Sequence, residues 1–185
     1  MKKAMDILIE SGLTALFGHQ KYGGMEFPNV LNVFSDEISC ATNMSLGIYL
    51  GLTKGAYNCI YSHGSEELKE TYLPRFLTGE WFGTMCMTEA HSGTDLGLIR
   101  TSAKPVGDSY NLNGQKIFIS CAEHDLSENI IHLVLARLPD APKGVKGISL
   151  FIVPKFLVND DGTLGARNKV KCVSIEEKMG VHGSA

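Results

Sequence analysis

The sequence predicts an α+β fold, with helices first and strands second. Apolar residues recur at helical spacing over roughly the first 80 positions. After Trp81 they fall instead into short runs of strand length, separated by turn residues. Glycine supplies 20 of the 185 residues, above the usual share of about 7%, so tight turns are expected.

The helical elements read in order as follows. Met5, Leu8, Ile9, Leu13, Leu16 and Phe17 form one apolar stripe, which Lys21-Tyr-Gly-Gly24 ends. Pro28 suits the first turn of a second helix, with Val30, Leu31, Val33, Phe34 and Ile38 apolar. A third stretch, Asn43 to Ser62, is apolar nearly all round and reads as a buried bundle helix. Gly64 stops it. Ser65 can cap a fourth helix over Glu66 to Leu77, whose first-turn acids suit the positive end of the dipole. Gly79 ends that helix.

Strands are expected at Phe82 to Met87, Ile99 to Val106, Ile130 to Leu138, Ile148 to Val153 and Val170 to Ile175. Tyr110 to Leu112 and Lys116 to Ser120 flank Asn113-Gly114 and read as a hairpin on a type I′ turn. Alternation in its second strand would put Ile117 and Ile119 on one face, Phe118 and Ser120 on the other. Asn159-Asp-Asp-Gly162 is a turn. No internal repeat or low-complexity tract occurs. The stretch from Met179 to Ala185 closes nothing after its strand, and the chain reads as a fragment of a longer polypeptide.

Composition excludes several functions. A net charge of −3 offers no basic field for a nucleic acid or an anionic membrane surface. The five cysteines are scattered, without a C-x-x-C pair, and fit reduced thiols in a cytoplasmic protein better than a disulfide framework or a zinc site. Asp6 and Glu10 interrupt the first apolar run, so it is no secretory leader, and no window reaches a membrane span.

The densest polar cluster is Met85-Cys-Met-Thr-Glu-Ala-His-Ser-Gly-Thr-Asp95. Its hydroxyls and glycine could face an anion through successive N–H groups. A polar loop that bonds its own backbone has the same composition. His91, Ser92 and Asp95 do not make a hydrolytic triad, because triad members converge from separate segments. His91, His124 and the nearby Glu89, Glu123 and Asp125 lack the histidine pairing of a helical metal site, and no metal is expected. The second segment, Gly114-Gln-Lys-Ile-Phe-Ile-Ser-Cys121, sets an aromatic ring near a hydroxyl, suited to a flat heterocycle or to a core strand.

Together, M-T-E-A-H-S-G-T-D (87–95) and N-L-N-G-Q-K-I-F-I-S (111–120) resemble the paired motifs of the acyl-CoA dehydrogenase family in order and spacing. The Y-G-G at Tyr22 to Gly24, the H-G-S-E-E-L-K-E-T-Y-L-P helix and the closing E-E-K-M-G-V-H-G-S resemble it too. The phrasing T-D-L-G-L-I-R-T and G-I-S-L-F-I-V-P-K is most similar to the branch that includes 3-methylmercaptopropionyl-CoA dehydrogenases.

The resemblance implies a partial helical N-terminal domain over 1–81 and a truncated middle β-domain over 82–185, antiparallel and barrel-like. The C-terminal helical bundle would be absent, and with it the catalytic base, so no residue here is given that role. It implies FAD as cofactor, an acyl-CoA substrate, α,β-desaturation, and an electron-transfer flavoprotein as acceptor. The full-length form would be a homo-oligomer and the isolated chain inactive. An acyl-CoA oxidase, or a non-catalytic flavin- or acyl-CoA-binding module, are the alternatives. By position, Met85, Met87 and Thr88 would line the flavin, Gly93 and Thr94 the pyrophosphate, and Thr94 also the CoA ester. Phe118, Ile119 and Ser120 would complete the cofactor set, Phe118 packing on the ring and Ser120 bonding near N5. Departures from the family pattern are Ala90 for Pro, Thr94 for Ser, Phe118 for Trp, Ser120 for Thr, and His182 where many members have Arg.

Overall fold

The computed structural model describes residues 1–183. Ser184 and Ala185, the end of the closing motif, lie outside the described residues. The first helix, α1 (Lys2–Glu10), is shorter than its apolar stripe. Gly12, at φ 78°, turns the chain, and the stripe continues as a 3₁₀ turn over Leu13–Ala15. The second and third predicted helices are two arms of one element, α2 (Asn29–His63), folded at Asn43 (φ −159°, ψ 99°). The Asn43 side chain accepts from the Leu46 N–H at 3.1 Å, as a cap does at a fresh helix start. A straight helix would hold Lys54 about 27 Å from Asp36. Here the two form a 2.6 Å ion pair, so the arms lie side by side. The first arm leaves Val30, Val33, Phe34 and Ile38 exposed. In α3 (Glu66–Leu77) the Ser65 side chain accepts from the Leu68 N–H, as expected, and Gly79 takes a positive φ just beyond its end.

Among the described residues seven strands follow: β1 (Trp81–Cys86), β2 (Ser102–Val106), β3 (Ser109–Asn113), β4 (Asn129–Arg137), β5 (Ile148–Pro154), β6 (Phe156–Val158) and β7 (Leu164–Arg167). Strand β4 is the axis of the main sheet. It pairs antiparallel with β5 along one side and parallel with β1 along the other. The β1 register ends at Cys86 opposite Val134, and Ser102 of β2 then meets Arg137. Strands β1 and β2 therefore follow one another along a single edge of β4, and residues 87–101 form an excursion out of that edge. Strands β6 and β7 make a separate hairpin around the predicted turn at 159–162.

Helices first and strands second is the architecture found, with four corrections to the sheet. It is mixed, because β4 takes parallel partners on one side, and among the described residues it does not close into a barrel, because β3 and β5 do not pair with each other. The hairpin turns at Gly107-Asp108, with Val106 opposite Ser109, and not at Asn113-Gly114. Gly107 carries the positive φ (57°) that a two-residue turn needs at its first central position. Residues 116–120 are not a strand: Phe118 (φ 58°) and Cys121 (φ 59°) are left-handed and break the pleat, so the expected alternation of faces fails. Residues 170–175 also lack a strand partner, and Val173 and Ile175 stand exposed.

The two halves meet where β1 lies on α2. Trp81 packs into a core with Tyr57, Ile60, Leu73, Phe76 and Ile131, while Phe82 joins Met5, Tyr49, Cys121 and Leu126. Adjacent strand residues thus serve opposite faces. The Gly83 N–H donates to Thr53 Oγ1 at 3.1 Å, and a Cβ on Gly83 would sit 2.4 Å from Ala56 Cβ. Only glycine allows this approach. Gly83→Ala should cost about 1–3 kcal/mol through overpacking and lower the urea midpoint. An unchanged midpoint would show that β1 and α2 are not in tight contact.

Candidate functional site

The excursion at residues 87–101 is pinned at its base by Arg137. Its backbone N–H donates to Thr101 O at 2.9 Å. Its guanidinium donates to Ile99 O (2.9 Å), Gly97 O (2.7 Å), Gly144 O (2.8 Å) and Pro142 O (3.1 Å). At the outer end, Glu89 and Ser92 exchange two backbone hydrogen bonds of 2.9 Å. Ser92 Oγ donates to Asp95 O, and Asp95 Oδ1 accepts from the Gly97 N–H. The self-bonding loop chemistry read from composition is therefore present, at Ser92 and Asp95.

The centre of the loop is Glu89, only 5% exposed. Its carboxylate accepts from the Arg100 N–H (2.8 Å), the Thr101 N–H (3.0 Å), Thr101 Oγ1 (2.5 Å) and Lys116 Nζ (2.8 Å). His91 Nε2 stands 3.4 Å away. Burial pushes the Glu89 pKa up, but Lys116, the Thr101 hydroxyl and the two backbone donors outweigh it and bring it from 4.5 down to about 2. Lys116 Nζ also donates to Met87 O at 3.0 Å, and the Ile117 N–H donates to Thr88 O at 3.0 Å. Thr84 Oγ1 donates to Ser120 O at 2.6 Å. The two motif segments thus lie side by side, joined at three points, and the Thr84 bond ties the second segment to β1.

Glycine is required where the second segment begins. A Cβ on Gly114 would lie 2.3 Å from Thr101 Oγ1 and 2.8 Å from Thr101 Cα. Beyond this crossing the segment lines an open groove of about 410 Å³, together with residues 169–176 and Lys178. Cys86 and His132 also line it. Burial pushes the Cys86 thiol up to about 12, which leaves it unreactive. The two His132 ring nitrogens each lie 2.9 Å from a carbonyl, of Val153 and of Ala122, and stitch β5 to the end of the motif segment.

The eight residues singled out from sequence are distributed unevenly. Phe118 and Ile119 line the groove; the other six do not. Met85 is half-buried and packs partly against the helical core, on the Trp81 side of β1. Met87, Gly93 and Thr94 are exposed on the loop, with Thr88 half-buried at the crossing. Phe118 is 55% exposed, its ring turned outward by the left-handed backbone. Ser120 is half-buried beside Thr84. The residues that hold this arrangement together, Glu89, Lys116 and Arg137, had no role in the sequence reading. The available signal was one charge of opposite sign inside each motif, Lys116 directly before the apolar run 117–119.

The Glu89 carboxylate stabilises the fold fully above the ordinary glutamate range, and this contribution is lost as pH falls from about 4.5 through about 2. Glu89→Gln should be less stable than the parent chain at pH 7. The gap in melting temperature should narrow as pH falls across that window. A gap constant from pH 7 to pH 2 would mean the carboxylate is not held ionised.

Residues 1–80 match the family described as "Acyl-CoA dehydrogenase, N-terminal domain", and residues 84–185 match "Acyl-CoA dehydrogenase, middle domain". A 3-methylmercaptopropionyl-CoA dehydrogenase of Ruegeria pomeroyi is 46% identical over 184 residues, covering 99% of this chain and 31% of that protein. A butyryl-CoA dehydrogenase of Syntrophomonas wolfei is 44% identical over 186 residues, covering 100% of this chain and 30% of its own length. The chain therefore spans about 30% of the length of these curated relatives. Among solved structures, acyl-CoA dehydrogenase complexed with FAD from Bacillus anthracis superposes with a TM-score of 0.78 at 26% identity, over 100% of this chain and 28% of that one. With both motif segments in contact and both halves matched, the chain belongs to the acyl-CoA dehydrogenase family.

Proposed function

We propose that residues 82–185 are the flavin- and acyl-CoA-binding part of an FAD-dependent acyl-CoA dehydrogenase, with residues 1–81 as part of its helical domain. The observation that carries this reading is the crossing of the two motif segments at Thr88–Ile117 and Glu89–Lys116.

The donor set fits FAD. Among the described residues, no backbone carbonyl takes the N–H of Gly93 or Thr94, and a Cβ on Gly93 would meet nothing within 4 Å. Free N–H groups beside open space suit a pyrophosphate. Thr94 also faces the CoA ester in this reading. The Thr88 hydroxyl and the Ser120 hydroxyl supply hydrogen bonds at the ring edge, with Met87 and Ile119 as apolar flanks. The exposed Phe118 ring supplies a stacking face. Met85 supports this wall from the core side. FAD, when bound, accepts the electrons removed from the acyl chain.

Glu89 cannot act as the base. Its carboxylate is occupied by four donors and held near pKa 2, far below what proton abstraction at neutral pH requires. In this reading the base lies outside residues 1–185. An electron-transfer flavoprotein is the electron acceptor, and the whole protein assembles as a homo-oligomer.

Refolding the 185-residue chain with FAD should yield a yellow protein whose flavin absorption stays with it through gel filtration. The same sample should not desaturate butyryl-CoA. A colourless protein overturns the flavin reading, and turnover by this chain alone overturns the placement of the base. Peroxide released during turnover of the whole protein would point to an oxidase instead.

A further inference from the structure

We propose that the buried Glu89–Lys116 pair is the positioning element of the site, fixing the separation of the 87–95 loop and the 114–120 segment and so setting how tightly a flavin is held; this rests on the flavin reading above. Three observations carry it. The first is burial: the Glu89 side chain is 4% exposed and the Lys116 side chain 9%. Taking two charges out of water is costly unless their geometry is good and their remaining hydrogen-bonding groups are satisfied. Both conditions hold, since Glu89 has three further donors and Lys116 a second acceptor, Met87 O.

The second observation is place. Glu89 is adjacent to Thr88, and Lys116 is two residues before Phe118. The Ile117 N–H to Thr88 O bond lies between them. A shift of the pair therefore moves a proposed hydrogen-bonding hydroxyl and a proposed stacking ring together. The third is the absence of a strand ladder. Residues 116–120 have no strand partner, and Phe118 holds a left-handed backbone that is costly for a bulky residue. A segment without a ladder needs side-chain ties to stay in place, and the Lys116 ammonium supplies two of them. The Lys116 ammonium and the Glu89 carboxylate are engaged by protein partners, so both act through their neighbours and neither is proposed as a catalytic residue.

The test uses the 185-residue chain, its Lys116→Met and Lys116→Arg variants, and the neutral pair Glu89→Gln/Lys116→Gln, which buries no unpaired charge if Lys116→Met alone fails to fold. Amide exchange is followed without flavin, and FAD affinity and the midpoint potential of bound flavin are then measured. Loss of the charge should speed exchange at residues 115–120 and weaken FAD binding, each by about tenfold or more, while β4 amides stay protected. The bound flavin's potential should move, and Lys116→Arg should return both affinity and potential most of the way. FAD affinity unchanged in Lys116→Met or in the neutral pair, or no recovery with arginine, overturns the positioning role alone. A parent chain that takes up no FAD overturns the flavin reading first, and the positioning of a flavin falls with it.

Discussion

A carboxylate removed from water must recover its hydrogen bonds inside the protein or give up its charge, and Glu89 recovers four. Those donors come from two places far apart in the chain, the entry to β2 at Arg100 and Thr101 and the start of the second motif at Lys116. Satisfying one buried charge therefore brings the loop, the sheet edge and the groove wall together. The surrounding packing follows from that requirement. Gly114 must be glycine because the chain crosses directly over Thr101, the residue that gives Glu89 both its backbone N–H and its hydroxyl.

The sheet supplies the complementary constraint. Strand β4 is held by β5 from Ile131 to Arg137 on one side, which leaves the other side free to accept β1 and β2 in succession. The gap between them is where the polar loop leaves and returns. Arg137, at the far end of β4, closes that gap with bonds to carbonyls on both the loop and the 142–144 turn. A guanidinium suits this task because its several N–H donors lie in one rigid plane. The loop is thus rigid at its base and tied at its centre, with its free groups at the rim.

The helical half contributes a platform. Its contact with the sheet is set by Gly83 against Ala56 and by the Thr53 hydroxyl, which accepts from the strand and donates to Tyr49 O within its own helix. Strand β1 is thereby fixed before it delivers Met87 and Thr88 to the loop. The fold at Asn43 doubles α2 on itself and leaves an apolar face on the first arm open.

The sequence alone determined what is local. Helical periodicity, the Ser65 cap, the Gly79 stop and the 159–162 turn each depend on a few neighbouring residues, and all are present. The order and spacing of the two motifs also sufficed to identify the family. Tertiary structure decided what depends on distant partners. Asn-Gly at 113–114 looked like a turn, but Gly107 made the hairpin, and residue 114 was needed for its missing side chain against Thr101. The alternating 116–120 run looked like a strand, but it found no ladder, and Lys116 was drawn inward to Glu89. Alternation records which residues could face a core; it cannot record which strand edge is free or where a buried charge finds its counterpart.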